Sequence, residues 1–421
     1  MKLKKGKQIV DYEKEVLMKE RIRNAALKAA EVHDSFYLYD EQGILESAER
    51  LVSNFPNAEF IYSVKCNHDK RVLKTVFGQG YGADAAGLQE VLKCVECGLS
   101  KERIYYSAPG KTEYDIENAI DKCILIADSI EEIKTIDKIA TEKNIKAKIG
   151  LRINPDFTFF ADKGAPSKFG VDEDKALEFI SNNSCTAVSI TGIHVHLRSQ
   201  ELNPLTLVNY WKRMLTLAGK FTNALGCLEY VNMGSGIGIQ YAITDKALNI
   251  TELGSAIKSE FASFSSTYSN TKVIIETGRY VVCDNGWYFT KVLDRKESYG
   301  KTFIILKNTL NGFMRPSLAK LIMSYTTGEN PKGTEPLFTS NNAFSFISLK
   351  ESKNMETVSL VGNLCTPADI IEDDIMMPYL EKGDLVAVSN AGSYAAVLSP
   401  MQFSSQTKPS QLFLTKDGNI L

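Results

Sequence analysis

Short apolar runs recur along the chain up to about residue 280, separated by stretches whose apolar residues fall three or four apart. Runs near 59–65, 81–86, 103–107, 123–128, 147–153, 188–197, 228–234 and 272–277 read as strands, and 68–79, 87–97, 112–121, 130–143, 204–223 and 250–268 read as helices. Eight strands alternating with helices predict a closed (β/α)8 barrel, with an open doubly wound sheet as the runner-up. Ahead of them, 13–32 reads as a lead-in helix and Phe36–Asp40 as a short strand. After residue 280 the pattern changes to β segments at Trp287–Leu293, Thr302–Leu306, Thr357–Val361 and Asp384–Ser389, with no long helix expected between them. Thr326–Pro336, rich in Gly, Pro and Thr, reads as a loop inside that region. The expected division is 1–40 as a helix and strand packing on the β domain, 41–280 as the barrel, and 281–421 as a C-terminal all-β domain. No internal repeat is visible.

Composition narrows the function. At 421 residues the chain exceeds one ordinary core, in keeping with two domains. Its 44% apolar and 24% charged residues describe an ordinary globular protein, and a net charge of −2 gives no footprint for nucleic acid or an anionic membrane. Of eight scattered cysteines only Cys94 and Cys97 are close, on a helical stretch that suits core packing. Four histidines without ligand spacing argue against zinc. The lysine-rich start lacks a signal peptide's apolar run and no stretch is long enough to span a bilayer, so the cytosol is the expected compartment.

In a barrel of this kind chemistry is built at the carboxyl ends of the strands. Lys65 ends the first, in Tyr62-Ser63-Val64-Lys65, with its amine aimed where the strand opens. Asp84 falls near the end of the second, Arg152 and Asn154 the fifth, His194 and His196 the sixth. Gly234-Ser235-Gly236-Ile237-Gly238 follows the seventh; it lacks the third glycine and helix of a dinucleotide fingerprint and the Lys-Ser/Thr of a P-loop. A loop offering backbone N–H groups to a phosphate and a plain tight turn both remain open for it. Glu276, at the end of an apolar strand, needs a cationic partner once buried. Arg279 is the structural candidate, a protonated pyridine nitrogen the functional one. On the period-2 rule His194 and His196 point to the same side.

These segments, with His196-Leu197-Arg198-Ser199, Glu276-Thr277-Gly278-Arg279 and Cys365-Thr366-Pro367-Ala368-Asp369, resemble the fold-type III pyridoxal-phosphate decarboxylases over about residues 36–414. That family includes the diaminopimelate, ornithine and arginine decarboxylases. The resemblance implies pyridoxal 5'-phosphate as cofactor, bound to Lys65 as a Schiff base, with Asp84 among the cofactor contacts. His196 is implied to stack on the cofactor ring and Glu276 to meet its pyridine nitrogen. Ser199, Gly234, Ser235, Gly236, Gly238, Gly278, Arg279 and Tyr394 are implied to hold its phosphate. It further implies a head-to-tail homodimer in which Cys365 and Tyr394 complete the partner's site, Cys365 being the acid that returns a proton to Cα. A thiol, small and acidic near neutral pH, suits that task.

The chain departs from the diaminopimelate pattern at its distal pocket. Thr366 stands where an acidic residue usually follows the cysteine. In Lys307-Asn308-Thr309-Leu310-Asn311-Gly312-Phe313-Met314-Arg315-Pro316-Ser317-Leu318, Lys307 and Gly312 replace two aspartates, Ala319 replaces a tyrosine, and Arg315 is kept. The wording around Cys365 is closer to decarboxylases of siderophore or antibiotic pathways, whose amino acid is joined to a citryl group or a carrier protein. Arg315, Thr366 and Asp369 are the expected substrate contacts. Decarboxylation of such a conjugate is the first reading and diaminopimelate decarboxylation the second. A non-catalytic binding homologue is disfavoured because the lysine, glutamate and cysteine are all present, and a racemase because it needs a second base.

Overall fold

In a computed structural model of the chain, residues 18–242, 244–326, 335–337, 340 and 342–421 are described. They form two compact units, one of residues up to Ile44, Gln240–Lys246 and Val281–Leu421, the other of Leu45–Ile239 and Ala247–Tyr280. The expected continuous stretch 41–280 is thus interrupted, with 240–246 grouping with the β region.

The chain runs through α1 (Glu20–Ala29), β1 (Ser35–Asp40) and α2 (Glu41–Asn54) before the strands of the second unit begin. These are β2 (Glu59–Ser63), β3 (Gly82–Ala85), β4 (Ile104–Tyr106), β5 (Ile124–Ala127), β6 (Ala147–Asn154), β7 (Val171–Asp172), β8 (Val188–His194), β9 (Tyr230–Asn232) and β10 (Lys272–Thr277). All but β7 form a closed parallel barrel, in the order β5-β4-β3-β2-β10-β9-β8-β6 with β6 returning to β5. Each backbone group then has a strand on both sides and no edge is left. The intervening helices start where the sequence supplies caps: Asp69, Ser129, Asn203 and Asn249 each accept a backbone N–H, and Thr112 with Asp115 closes a capping box. Inside the barrel, Ile61, Tyr105, Ile126, Tyr230 and Ile274 form one buried cluster. Gly150 and Gly192 make room for the Tyr230 ring; a Cβ at Gly192 would stand 2.1 Å from its Cζ. These side chains plug the barrel and leave the opposite rim for chemistry.

The first unit is a mixed sheet. Its strands are β11 (Gly286–Ser298), β12 (Lys301–Leu306), β13 (Phe346–Ser348), β14 (Met355–Gly362), β15 (Ile370–Pro378), β16 (Leu385–Val388) and β17 (Ser410–Leu414), in the order β13-β16-β11-β12-β14-β15. β1 pairs antiparallel with β11 and parallel with β17. Phe36, Leu38, Trp287, Phe289, Ala387 and Leu412 meet α1's Ile22, Ala25 and Ala26 in its core.

Three expectations change. The region after 280 does carry a long helix, Met314–Ser324, whose buried face is Arg315, Pro316, Ser317 and Ala319. Polar and small residues face inward there, so no apolar stripe announced the helix. The strands expected at 59–65 and 188–197 stop at Ser63 and His194. Of the lead-in helix, 13–17 lie outside the described residues, as do 327–334 of the expected loop.

Candidate active site

β2 ends at Ser63 and the chain makes one tight 3-10 turn, Val64–Cys66, so Lys65 stands beyond the strand rather than as its last residue. Val64 and Cys66 are buried and fix the turn, while the Lys65 side chain is 41% exposed. Its Nζ donates to Asp84 Oδ2 at 2.8 Å. Asp84, fully buried on β3, also accepts from Ser63 Oγ at 3.1 Å and from Ser107 Oγ. Burial lowers the Lys65 pKa, but Asp84 and Glu276 more than offset this, and the ammonium is held above its ordinary value.

Glu276, 1% exposed on β10, is the electrostatic centre of the rim. Its Oε1 accepts from Asn232 Nδ2 at 3.0 Å and lies 3.0 Å from His194 Nε2; its Oε2 lies 3.3 Å from His196 Nδ1. The buried carboxylate is therefore matched by Asn232 and the two histidines. Burial pushes its pKa up, but His194 and His196 outweigh burial and hold it well below the usual carboxylate range. His194 itself is lowered by burial. β8 ends before His196, yet both histidines reach the same carboxylate.

The glycine loop begins directly after β9. Gly234 (φ +65°) donates its N–H to Asn232 Oδ1 at 2.9 Å, and Ser235 donates to His196 Nδ1 at 3.2 Å. His196 Nε2 faces Ser199 Oγ at 3.2 Å. A Cβ on Gly278 would stand 2.4 Å from Cys66 Sγ, so that glycine lets its loop pack on the turn carrying Lys65. The donor set fits pyridoxal 5'-phosphate: an amine for its aldehyde, a buried anion for its ring nitrogen and a glycine loop for its phosphate. Arg279 is also buried. Arg152 and Asn154 tie down the following loop: Arg152 stacks on Phe169 at 4.3 Å with Nη1 3.4 Å from Asp128 Oδ1, and Asn154 Nδ2 donates to Asp172 Oδ1 at 2.9 Å.

The remaining expected residues lie in the β unit. Cys365 is exposed, its Sγ 3.8 Å from Ser404 Oγ, and Tyr394 is half-buried at φ +51°. Thr366 Oγ1 accepts from Ala368 N at 3.3 Å. Asp369 is buried: its Oδ1 accepts from Leu310 N (2.9 Å) and Thr309 Oγ1, and its Oδ2 from Leu364 N (3.0 Å). It clamps the loop before Cys365 to the 309–310 turn. Arg315 is buried between Tyr241 and Phe344, both rings at 5.4 Å, with Nη1 3.4 Å from Ser393 O. Gly312 leaves no room for a side chain, since a Cβ would stand 2.3 Å from Asn308 O and 2.4 Å from Tyr288 Oη. Asn232, Ser63 and Ser107 were missed from sequence. For Asn232 the signal was present, a polar residue closing an apolar strand just before the glycines.

Residues 41–283 match the family model of the pyridoxal-dependent decarboxylases, in their pyridoxal binding domain. The chain belongs to this family. It is 31% identical to the L-glutamyl-[BtrI acyl-carrier protein] decarboxylase of Niallia circulans, over 91% of this chain and 89% of that protein. It is 25% identical to the 2-[(L-alanin-3-ylcarbamoyl)methyl]-2-hydroxybutanedioate decarboxylase of Staphylococcus aureus, over 93% and 96%. Among solved structures, the diaminopimelate decarboxylase of Helicobacter pylori complexed with L-lysine gives a TM-score of 0.77 at 26% identity, over 94% of this chain and 95% of that one. The protein is a fold-type III decarboxylase, an enzyme whose cofactor is pyridoxal 5'-phosphate. Among the described residues, no helix is long and apolar enough to cross a membrane, and no group of side chains is suited to hold a metal.

Proposed function

We propose that the enzyme removes the α-carboxylate of an amino acid carried in a conjugate, one joined to a citryl group or to a carrier protein. The observation that carries this reading is the character of the expected distal pocket. Thr366 offers a hydroxyl, Gly312 has no space for a carboxylate, and Lys307 and Arg315 are cationic. Such a pocket favours a carboxylate-bearing appendage over a second ammonium, because an unmatched buried charge discriminates strongly between substrates. Two relatives support it, one named for a carrier-linked glutamyl group and the other for a hydroxybutanedioate amide.

Lys65 anchors the cofactor, and Asp84, 2.8 Å from Nζ, is placed to take the proton the amine must shed. Bound there, pyridoxal 5'-phosphate supplies a conjugated ring that takes up the electron pair left when carbon dioxide departs. Glu276 keeps a proton on the ring nitrogen, and His196 offers a face to the ring. Ser199, the 234–238 loop, Gly278, Arg279 and Tyr394 hold the phosphate, which fixes the orientation of the bond to be broken. Cys365 Sγ–H returns the proton to Cα. Cys365 and Tyr394 serve the site of a second copy in a head-to-tail homodimer, and the cytosol is the expected compartment.

Diaminopimelate decarboxylation in lysine biosynthesis is the second reading, favoured by the likeness to the Helicobacter pylori enzyme. Carbon dioxide release decides between them. Weak or no turnover of meso-diaminopimelate, L-ornithine and L-lysine is expected, with good turnover of a citryl amide of a small diamino acid or a carrier-linked amino acid. A kcat/KM of about 10⁴ M⁻¹s⁻¹ or more on meso-diaminopimelate overturns the first reading.

A further inference from the structure

We infer that Asn232 is a positioning residue that couples the two ends of the cofactor site, the carboxylate of Glu276 and the glycine loop. Asn232 is fully buried at the last position of β9. Its two amide ends do opposite jobs: Nδ2 donates to Glu276 Oε1 at 3.0 Å, while Oδ1 accepts the Gly234 N–H at 2.9 Å. A second strap runs beside it, Glu276 N donating to Gly234 O at 2.8 Å. An amide has one donating and one accepting end, and here the partners dictate which is which. Gly234 N–H can only donate, so Oδ1 must face the loop. Nδ2 must then face Glu276, where it is satisfied only while the facing oxygen is an acceptor. The orientation of the first glycine of the loop is thereby tied to which oxygen a carboxylate on another strand turns toward Asn232. A distortion at either end is transmitted through one rigid planar group. Ser235 N–H, on His196 Nδ1 at 3.2 Å, continues the same chain of contacts to a ring that also faces Glu276.

This rests on the reading that Glu276 meets the ring nitrogen and the 234–238 loop the phosphate, and the test separates the two. Dissociation constants for pyridoxal 5'-phosphate and for pyridoxal are measured by equilibrium dialysis on the apoprotein, and their ratio reports what the phosphate contributes. Glu276→Gln is expected to weaken both ligands and to lower the phosphate ratio about tenfold, the scale of one hydrogen bond to a charged group. In an Asn232→Ala background the same substitution should leave the ratio unchanged within about twofold. Asn232→Asp is the informative variant, because it keeps the acceptor for Gly234 N–H but sets a second carboxylate against Glu276, so one of the pair must hold a proton. It should keep the phosphate ratio within about twofold of wild type while weakening both ligands, with a new pH dependence in binding. A merely structural asparagine would lower both quantities together in the Asp and Ala variants, and that result overturns the inference. So does a phosphate ratio that Glu276→Gln leaves unchanged while weakening both ligands. If Glu276→Gln affects neither ligand, the placement of the ring nitrogen fails, and the inference with it.

Discussion

Replacing Gly234 with alanine separates two reasons for a glycine, backbone conformation and close approach. At φ +65°, an alanine costs about 1–2 kcal/mol, offset by about 0.4–1 kcal/mol from a stiffer unfolded chain. Its Cβ would also stand 2.4 Å from Val195 O, 2.8 Å from His196 Cα and 2.9 Å from His196 Nδ1. Backbone cannot rotate away as a side-chain tip can, so a further ~1–3 kcal/mol of overpacking is expected, for a total loss of about 2–4 kcal/mol. Gly98 is the internal control: its φ is +92°, but a Cβ there meets nothing within 4 Å, and its alanine variant should lose only about 1 kcal/mol or less. Both glycines belong to the barrel unit, as does the buried Trp211, whereas Trp287 lies in the β unit. A Trp287→Phe background therefore leaves Trp211 fluorescence as a reporter of barrel unfolding in urea, read by linear extrapolation. Losses for Gly234→Ala and Gly98→Ala that agree within about 0.5 kcal/mol would refute the claim that close approach, not φ alone, demands glycine at the head of the loop.

Borohydride reduction of the holoenzyme followed by peptide mapping should place the cofactor on Lys65, and Lys65→Ala should abolish the covalent link; fixation on any other lysine removes the anchor assignment. Cys365→Ala should retain cofactor but lose turnover, and mixing it with Lys65→Ala subunits should restore about a quarter of the sites if each site draws on both copies; no recovery after confirmed exchange argues against sharing. The Glu276 carboxyl is held below its ordinary value, so its contribution to stability is present above the unfolded-state pKa and is lost as pH falls through the folded one. Urea midpoints of the apoprotein between about pH 3 and 6 should fall less steeply for Glu276→Gln than for wild type, and parallel curves would show that the carboxylate is not so held.

Much of the architecture was legible because the barrel strands are buried on both faces and read as uninterrupted apolar runs. The 272–277 segment agrees residue for residue, and the chemistry-bearing positions Lys65, Asp84, His194 and Glu276 lie at or just beyond strand ends, as expected. What escaped has physical causes. β15 carries Glu372, Asp373 and Asp374 through its middle, acceptable because Lys320 pairs with Glu372 and Lys301 and Ser359 meet Asp373. Those partners come from distant positions that a local window cannot see. The helix at 314–324 hides its face behind Arg315 and Ser317 while Leu321 is exposed. Asp369 stands out in sequence only as part of the cysteine motif, and its bonds to Leu310 N and Leu364 N, from two separate segments, are visible only in three dimensions. Within the site, Lys65 and Glu276 stood out as charges at apolar strand ends, whereas Asn232 is an uncharged residue whose importance comes from what it joins.

The parallel pairing of β1 with β17 has a consequence for how this protein is born. Phe36-Tyr37-Leu38-Tyr39 leaves a ribosome long before one of its neighbours, since Phe36 is in register with Ser410. All eight barrel strands are synthesised in between, while this aromatic segment waits with both hydrogen-bonding sides open until β11 emerges and with one open until β17 does. Vectorial synthesis therefore imposes a vulnerable interval whose length is set by translation of the stretch between β1 and β17. A nascent chain stalled or prematurely terminated beyond residue 277 but before 410 carries a full set of barrel strands joined to an uncompleted sheet edge. Such truncated chains should be the aggregation-prone species in a cell making this enzyme, and factors that shield nascent β segments should matter more to its yield than factors acting after release.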